Sequence, residues 1–134
     1  MFCLDTDVAS AIVRPEAGPA NLARRLGVLP PASQFTTSIT LGELLYGARK
    51  RRNEALERDI EWLFARDIEV VPFDDVAARV YADIRVELEA AGRRLEDPDL
   101  RIAAICLAHD LTLVTGNVRH FERVPGLRVE NWLS

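Results

Sequence analysis

The amino-acid sequence predicts an α/β fold in which a parallel β-sheet lies between two layers of helices. Short apolar runs alternate along the chain with longer segments of helical periodicity, as in successive β-α-β units. The apolar runs are almost continuous, as parallel strands covered on both faces should be. No segment repeats and none is of low complexity, so one domain over residues 1–134 is expected.

The elements follow in order from turn, cap and breaker residues. Strands are expected at residues 2–5, 34–39, 69–73, 111–115 and 127–130. Helices are expected at residues 7–13, 16–26, 40–52, 54–66, 76–91 and 97–109, with one further turn at 117–121.

Particular residues justify the helix boundaries of the first half of the chain. Asp5 or Thr6 can cap the first helix, and Pro15 ends it. Gly27 ends the second helix, and Pro30-Pro31 marks a loop.

The later helices carry start and stop signals of the same kind. Thr40, with Glu43 three residues on, has the spacing of a capping box. Asp74 can cap the long helix that Gly92 ends, and Asp97-Pro98 opens the next with proline at the first helical position. The sequence therefore provides each helix with a boundary that does not depend on hydrophobicity alone.

Composition restricts the possible classes of protein. The formal net charge of −4 argues against a broad, non-specific nucleic-acid binder, although not against a local basic groove. Cys3 and Cys106 are expected to be small core residues in a reduced compartment. The chain has no apolar stretch of membrane-spanning length and no basic-then-apolar signal pattern, so we expect a cytoplasmic protein that does not enter a membrane.

Three carboxylates stand in apolar company at the ends of predicted elements: Asp5, Glu43 and Asp99. Buried acids are costly unless they are paired, protonated or bound to a cation. Their all-oxygen chemistry indicates a site for a divalent metal ion, and phosphodiester hydrolysis is a reaction such an ion supports. Thr115 and Asn117 follow the fourth strand and would meet Asp5 if the first and fourth strands are neighbours.

Each of these residues also has an ordinary structural explanation. Asp5 and Asn117 could be helix caps, Glu43 the capping partner of Thr40, and Asp99 a first-turn acid. For Asp7 we prefer the ordinary explanation, a charge that favours the helix dipole. The metal hypothesis depends on all the acids meeting at one edge of the sheet.

Basic and aromatic residues give weaker signals. Arg49, Arg51, Arg52 and Arg119 could bind RNA phosphates, although a solvated helix end explains the run 49–52 at least as well. We expect Trp62 and Trp132 to be packing residues. Ile60, Leu63 and Phe64 stand at core spacing on the helix expected at 54–66. That helix, together with Leu45 and Tyr46, carries more apolar surface than one core needs, so part of this surface is expected to meet partners.

Four segments resemble the successive motifs of PIN-domain ribonucleases: LDTD at 4–7, GELLYGA at 42–48, DLRIAA at 99–104 and LVTGN at 113–117. The closing segment 121–129, FERVPGLRV, is similar to the tail of the VapC toxins within that family. The resemblance covers essentially the whole chain, in order and in spacing.

The resemblance carries several expectations with it. It implies a three-layer α/β/α PIN-like fold with a parallel five-stranded sheet, and an Mg²⁺- or Mn²⁺-dependent endoribonuclease acting on RNA. It also implies inhibition by a VapB-type antitoxin, and a homodimer. The family's acids correspond to Asp5, Glu43 and Asp99, while Asn117 stands where some members have a fourth acid. A second metal ion is therefore not implied.

Two other functions fit parts of the sequence. The Asp5-Thr6-Asp7 start resembles that of phosphatases with an aspartyl nucleophile, although the only lysine, Lys50, is not at a suitable strand end. A non-enzymatic binding module with a structural ion is the other alternative. Release of phosphate from a simple ester would favour the first, and RNA left intact with Mg²⁺ would favour the second.

Overall fold

The computed structural model describes residues 1–14, 20–27, 33–66 and 68–133, and within them a sheet of five parallel strands. The strands are β1 (Phe2–Leu4), β2 (Gln34–Thr37), β3 (Glu69–Val71), β4 (Thr112–Val114) and β5 (Val129–Glu130). Their spatial order is β3-β2-β1-β4-β5. Strand order therefore reverses between β1 and β4, and ligand sites of such sheets lie at that position.

Helices cover both faces of this sheet, as the sequence predicts. They are α1 (Thr6–Val13), α2 (Ala20–Gly27), α3 (Ser38–Lys50), α4 (Glu54–Arg66), α5 (Asp75–Ala90), α6 (Asp97–Ala108) and α7 (Val118–Phe121). The predicted three-layer α/β/α architecture is confirmed.

The pleat of the strands divides the core into two clusters. Cys3 and Leu113, paired between β1 and β4, face the cluster formed with α5, α6 and α7. The next pair, Leu4 and Val114, faces the cluster formed with α1, α2 and α4. Successive residues of a strand point to opposite faces, so a strand of three residues supplies both cores.

The start of α3 differs from the prediction, and the difference concerns the site. The N-cap is Thr37, whose Oγ1 accepts a hydrogen bond from the Thr40 N–H at 3.1 Å. The predicted capping box of Thr40 and Glu43 is therefore wrong, because the helix already begins at Ser38. Glu43 lies in the second turn, where its carboxylate is not needed as a cap.

Most other boundaries agree with the prediction to within a few residues. Asp5 and Asp74 are N-caps that accept backbone hydrogen bonds, and Gly92 adopts a positive φ of 68° just beyond α5. α6 starts at Asp97-Pro98, although its N-cap position is Glu96. Pro15, Pro30-Pro31 and residues 16–19 of the predicted second helix lie outside the described residues.

One prediction about packing is wrong, since Trp62 is 56% exposed, whereas Trp132 is buried as expected. Ile60 and Leu63 are buried, as their core spacing predicts, and so offer no surface to a partner. Both cysteines are buried free thiols, as expected. Within the described ranges, no helix is both long and apolar enough to cross a membrane.

Candidate active site

A cavity of about 380 Å³ opens where β1 and β4 end. It brings together residues from α1, α3, α6 and the turn after β4. Its acidic and amide side chains are Asp5, Asp7, Glu43, Asp99 and Asn117. Four of the five predicted site residues therefore line one cavity, and the fifth, Thr115, is hydrogen-bonded to Asp5 beneath it.

Asp5 is the most buried of these acids, with 5% of its surface exposed. Its Oδ1 accepts from the Thr6 N–H at 2.8 Å and its Oδ2 from the Thr115 hydroxyl at 2.7 Å. Burial first, with smaller effects of the charges of Asp7 and Asp99, raises the pKa of Asp5 to about 6, against the opposing effect of these two hydrogen bonds.

Thr115 connects the turn after β4 to the first strand. Its buried hydroxyl accepts from the Asn117 N–H at 3.0 Å while it donates to Asp5. Asn117 occupies the N-cap position of α7, yet its side chain makes no capping hydrogen bond. The capping explanation for Asn117 thus has no support in its side-chain contacts, and the exposed amide faces the cavity.

Glu43 reaches the site from α3 and is held by Thr6. The Thr6 hydroxyl donates to Glu43 Oε1 at 2.7 Å and also lies 3.3 Å from the hydroxyl of the buried Thr40. A carboxylate only accepts, so the Thr6 hydrogen goes to Glu43, and Thr40 can donate to Thr6 in turn. Thr6 thereby holds two site carboxylates, one through its backbone and one through its side chain.

Asp99 enters from the first turn of α6. Its pKa is raised by burial first and by the charge of Glu43 second. His120 of α7 opposes this shift, with its Nδ1 lying 4.0 Å from Asp99 Oδ2. Asp99 is therefore a partly buried acid with a second acid close by, rather than only a favourable first-turn charge.

Asp7 does more than favour the dipole of α1. Its Oδ2 accepts from the Gly116 N–H at 2.8 Å, and its Oδ1 accepts from the Val8 N–H at 2.8 Å. Burial raises its pKa. The Asp7 side chain lies very close to the turn after β4, because a Cβ at Gly116 would lie only 2.6 Å from Asp7 Oδ2. A side chain at position 116 would therefore force Asp7 or the turn to shift, and the helix-dipole explanation of Asp7 is incomplete.

The donor set fits a divalent metal ion. Asp5, Glu43 and Asp99 supply only oxygen ligands, and the raised pKa of Asp5 and of Asp99 reflects negative charge that burial leaves poorly compensated. Among the described residues, no three His, Cys, Asp or Glu side chains already stand at the spacing an ion would impose.

The predicted RNA-binding arginines do not all lie at the cavity. Arg51 lines it, whereas Arg49 is paired with Glu57 at 2.8 Å, and Arg52 and Arg119 are exposed residues outside its described lining. Arg14, at the C-terminal end of α1, also lines the cavity. Sequence reasoning missed Arg14, because no local pattern marks a helix-end arginine as facing inward.

Asp97 has a structural role away from the cavity. Its carboxylate accepts hydrogen bonds from the Tyr81 hydroxyl and from Arg101, and together these side chains join α5 to α6. These contacts lower the pKa of Asp97, with the Tyr81 hydrogen bond as the largest cause. Asp97 thus belongs to the support of α6, which carries Asp99.

Comparison with known proteins agrees with this architecture. The family model of the PIN domain matches residues 2–127. The chain is 36% identical to the tRNA(fMet)-specific endonuclease VapC of Shigella flexneri, over 98% of this chain and 97% of that protein. It is 35% identical to ribonuclease VapC2 of Rickettsia felis, with 98% of each protein covered.

A solved structure also matches this chain over nearly its full length. The crystal structure of VapBC2 from Rickettsia felis, bound to a DNA fragment from its promoter, contains a chain that matches with a TM-score of 0.87 and 29% identity. The match covers 98% of both chains. With its parallel sheet, its acids at the strand ends and these full-length matches, the chain belongs to the PIN-domain family and, within it, to the VapC ribonucleases.

Proposed function

We propose that this protein is a metal-dependent endoribonuclease, and that it acts as the toxin of a toxin–antitoxin pair, inhibiting translation and growth until its antitoxin neutralises it. The observation that carries the proposal is the convergence of Asp5, Glu43 and Asp99 on one cavity at the switch point of the sheet. Nucleases with PIN domains generally use a divalent metal ion, and we propose Mg²⁺ or Mn²⁺ here.

The chain's own residues would hold such an ion and orient the RNA. Asp5, Glu43 and Asp99 are the proposed ligands, and Asn117 would contribute its carbonyl oxygen or a bound water. Thr115 and Thr6 fix the carboxylates of Asp5 and Glu43 by hydrogen bonds of 2.7 Å each. When bound, the ion would lower the pKa of a water molecule and offset charge developing on the phosphate.

The geometry gives no support to a phosphatase with an aspartyl nucleophile. The lysine that such chemistry needs is not among the described residues that line the cavity, and the ammonium of Lys50 lies instead 5.7 Å from the centre of the Tyr46 ring.

The proposed partners are RNA, a VapB-type antitoxin and a second copy of the chain. Relatives of this chain have been solved as VapBC complexes from Rickettsia felis and Salmonella typhimurium. Tyr46, Trp62, Val76 and Val86 offer exposed apolar surface for protein partners. We propose a cytoplasmic protein in which residues 1–134 act as one PIN domain.

Incubation with RNA tests the proposal. The protein with Mg²⁺ or Mn²⁺ should cut RNA internally, and a chelator should stop the reaction. Asp5→Asn should keep the fold, because it preserves shape, but should abolish both cleavage and growth inhibition. Substantial cleavage by a folded Asp5→Asn protein would overturn the assignment of Asp5, and intact RNA with the unmodified protein would overturn the activity.

The homodimer has its own test. Sedimentation or light scattering at micromolar concentration should give twice the mass of one chain. A strictly monomeric protein would remove this part of the proposal without affecting the others.

A further inference from the structure

The cavity has a second, basic end formed by Arg14 and Arg51. Two helices run from its acidic end to this one. α1 begins at its N-cap Asp5 and ends at its C-cap Arg14, and α3 carries Glu43 and ends at its C-cap Arg51. At a rise of about 1.5 Å per residue, each acid is separated from the arginine of its helix by roughly 12 Å.

Both guanidinium groups are available to a ligand. Among the described residues, neither Arg14 nor Arg51 takes part in an ion pair, whereas the neighbouring Arg49 binds Glu57 at 2.8 Å. Two arginines at one end of a cavity are suited to forked hydrogen bonds with a phosphate group. Among the described residues, the acids of the same cavity form no ion pair with them, and along α1 and α3 each arginine lies eight or nine positions beyond Glu43 or Asp5.

The wall between the two ends is mostly apolar, with Ser10 of α1 adding a hydroxyl. Val13, Leu44 and Leu56 line it, together with the buried Ile60. The cavity therefore presents acids for a metal-bound phosphate, then an apolar surface, then two guanidinium groups. A nucleic-acid strand has a matching sequence of groups, because each base lies between two phosphates. At about 3.4 Å of rise per stacked nucleotide, the separation spans no more than a few nucleotides.

We propose that Arg14 and Arg51 form a phosphate-binding subsite that holds the RNA a few nucleotides from the bond that is cut. A base in between would lie against the apolar wall, which requires it to be unstacked. The inference rests on the proposed ribonuclease function and assigns two residues of this chain to holding its RNA substrate.

Binding of RNA to the Asp5→Asn protein, which should not cleave it, tests the subsite. In the Asp5→Asn protein, Arg14→Ala and Arg51→Ala should each weaken binding of a short single-stranded RNA on the order of tenfold. Each should also lower the salt dependence of binding by about 0.7, the value for one lost phosphate contact on a single strand. Arg51→Lys should retain part of the affinity.

Arg49→Ala and Arg52→Ala are the matched controls, because they remove charges from the same helix end outside the described cavity lining. Neither should change affinity or salt dependence by more than a small factor. Equal losses for all four alanine variants would mean that the basic run acts only as diffuse charge, and the subsite would be rejected. Melting temperatures would show that each variant is folded.

Uncharged phosphate analogues in the RNA identify which phosphate the two arginines contact. Replacing single phosphates of the RNA by uncharged methylphosphonate should weaken binding most at one position near the cleaved bond. That effect should disappear in Arg51→Ala, since the guanidinium and the phosphate charge act together. An undiminished effect in the variant would overturn the assignment. A base-paired form of the same RNA should bind more weakly and show no such position.

Two outcomes distinguish a failure of the proposed subsite from a failure of the proposed ribonuclease function. If the unmodified protein cuts RNA but Arg14→Ala and Arg51→Ala bind and cut like the controls, the subsite is wrong and the ribonuclease stands. If the unmodified protein cuts no RNA, the proposed function fails whatever the binding data show. Arginine variants that lose affinity for the antitoxin but not for RNA would assign the basic end to the protein partner and overturn the proposal.

Discussion

The hydroxyl of Thr115 donates a 2.7 Å hydrogen bond to Oδ2 of Asp5 across 110 positions of sequence, and both residues are buried. The same hydroxyl accepts from the Asn117 N–H. One small side chain thus joins the ends of β1 and β4 and fixes the orientation of the central carboxylate. Each part of this arrangement can be tested separately.

Thr115→Val should weaken metal binding roughly 10- to 100-fold, because a hydrogen bond to a charged group contributes about 1.5–3 kcal/mol. Valine keeps the shape of threonine but leaves Asp5 without its second donor and the Asn117 N–H without its acceptor. Calorimetric titration with Mn²⁺ measures the change. Thr115→Ser keeps the hydroxyl and should behave like the unmodified protein; unchanged metal affinity in Thr115→Val would show that the hydrogen bond does not matter.

Asn117 should set the number of bound metal ions. Three carboxylates balance one divalent ion with a single charge in excess, whereas two ions would leave the site positive before RNA arrives. We therefore expect one well-bound ion in the free protein and moderately weaker binding in Asn117→Ala, without unfolding. Asn117→Asp should tighten the first site and make a second easier to detect by Mn²⁺ calorimetry.

The opposite results for Asn117 would be equally clear. Two tight sites in the unmodified free protein, or no effect of either substitution, would show that the amide takes no part. Asp7, which also lines the cavity, would then be the acid that supplies the missing charge.

The metal-free protein should become more stable relative to Asp5→Asn as the pH falls from 7 to 4. The pKa of Asp5 is about 6 in the fold against 3.8 for an ordinary aspartate, so the folded state binds the proton more readily. The stabilisation that Asp5 contributes is complete below about pH 3.8 and is lost as the pH rises through 6. The shift corresponds to about 3 kcal/mol at most.

Urea unfolding of both proteins at several pH values measures that difference. Comparison with Asp5→Asn cancels the contributions of other acids, such as Asp97, whose pKa is shifted the other way. Mg²⁺ should raise the melting temperature at pH 7.5 and much less at pH 5, because protonated carboxylates bind it poorly. Equal Mg²⁺ effects at both pH values would contradict a carboxylate site.

Gly116→Ala should destabilise the protein by about 1–3 kcal/mol and reduce cleavage, because the new Cβ would lie 2.6 Å from Asp7 Oδ2 and 3.0 Å from Leu133. The control is Gly42→Ala on α3, where a Cβ would meet nothing within 4 Å. That change should raise stability by up to about 1 kcal/mol. Thermal unfolding compares the two; a tolerated Gly116→Ala would mean that the turn can move away from Asp7.

The sequence by itself determined the layered architecture and indicated three of the four acids found in the described cavity lining, Asp5, Glu43 and Asp99. Apolar runs separated by capped helices can form only a sheet covered on both faces, so the strand ends bearing Asp5 and Thr115 had to meet if their strands were neighbours. The start of α6 at Asp97-Pro98 and the Asp74 cap of α5 could be predicted because such signals involve residues close in sequence.

Only the tertiary structure decided which side chains serve the cavity. Thr6 bonds to Glu43 37 positions away, and Asp7 accepts from Gly116 109 positions away. Arg51 lines the cavity while Arg49 turns to Glu57. Local patterns record a residue's neighbours along the chain, whereas these contacts depend on how helices rotate and approach over the sheet. That rotation is set by packing of the whole core.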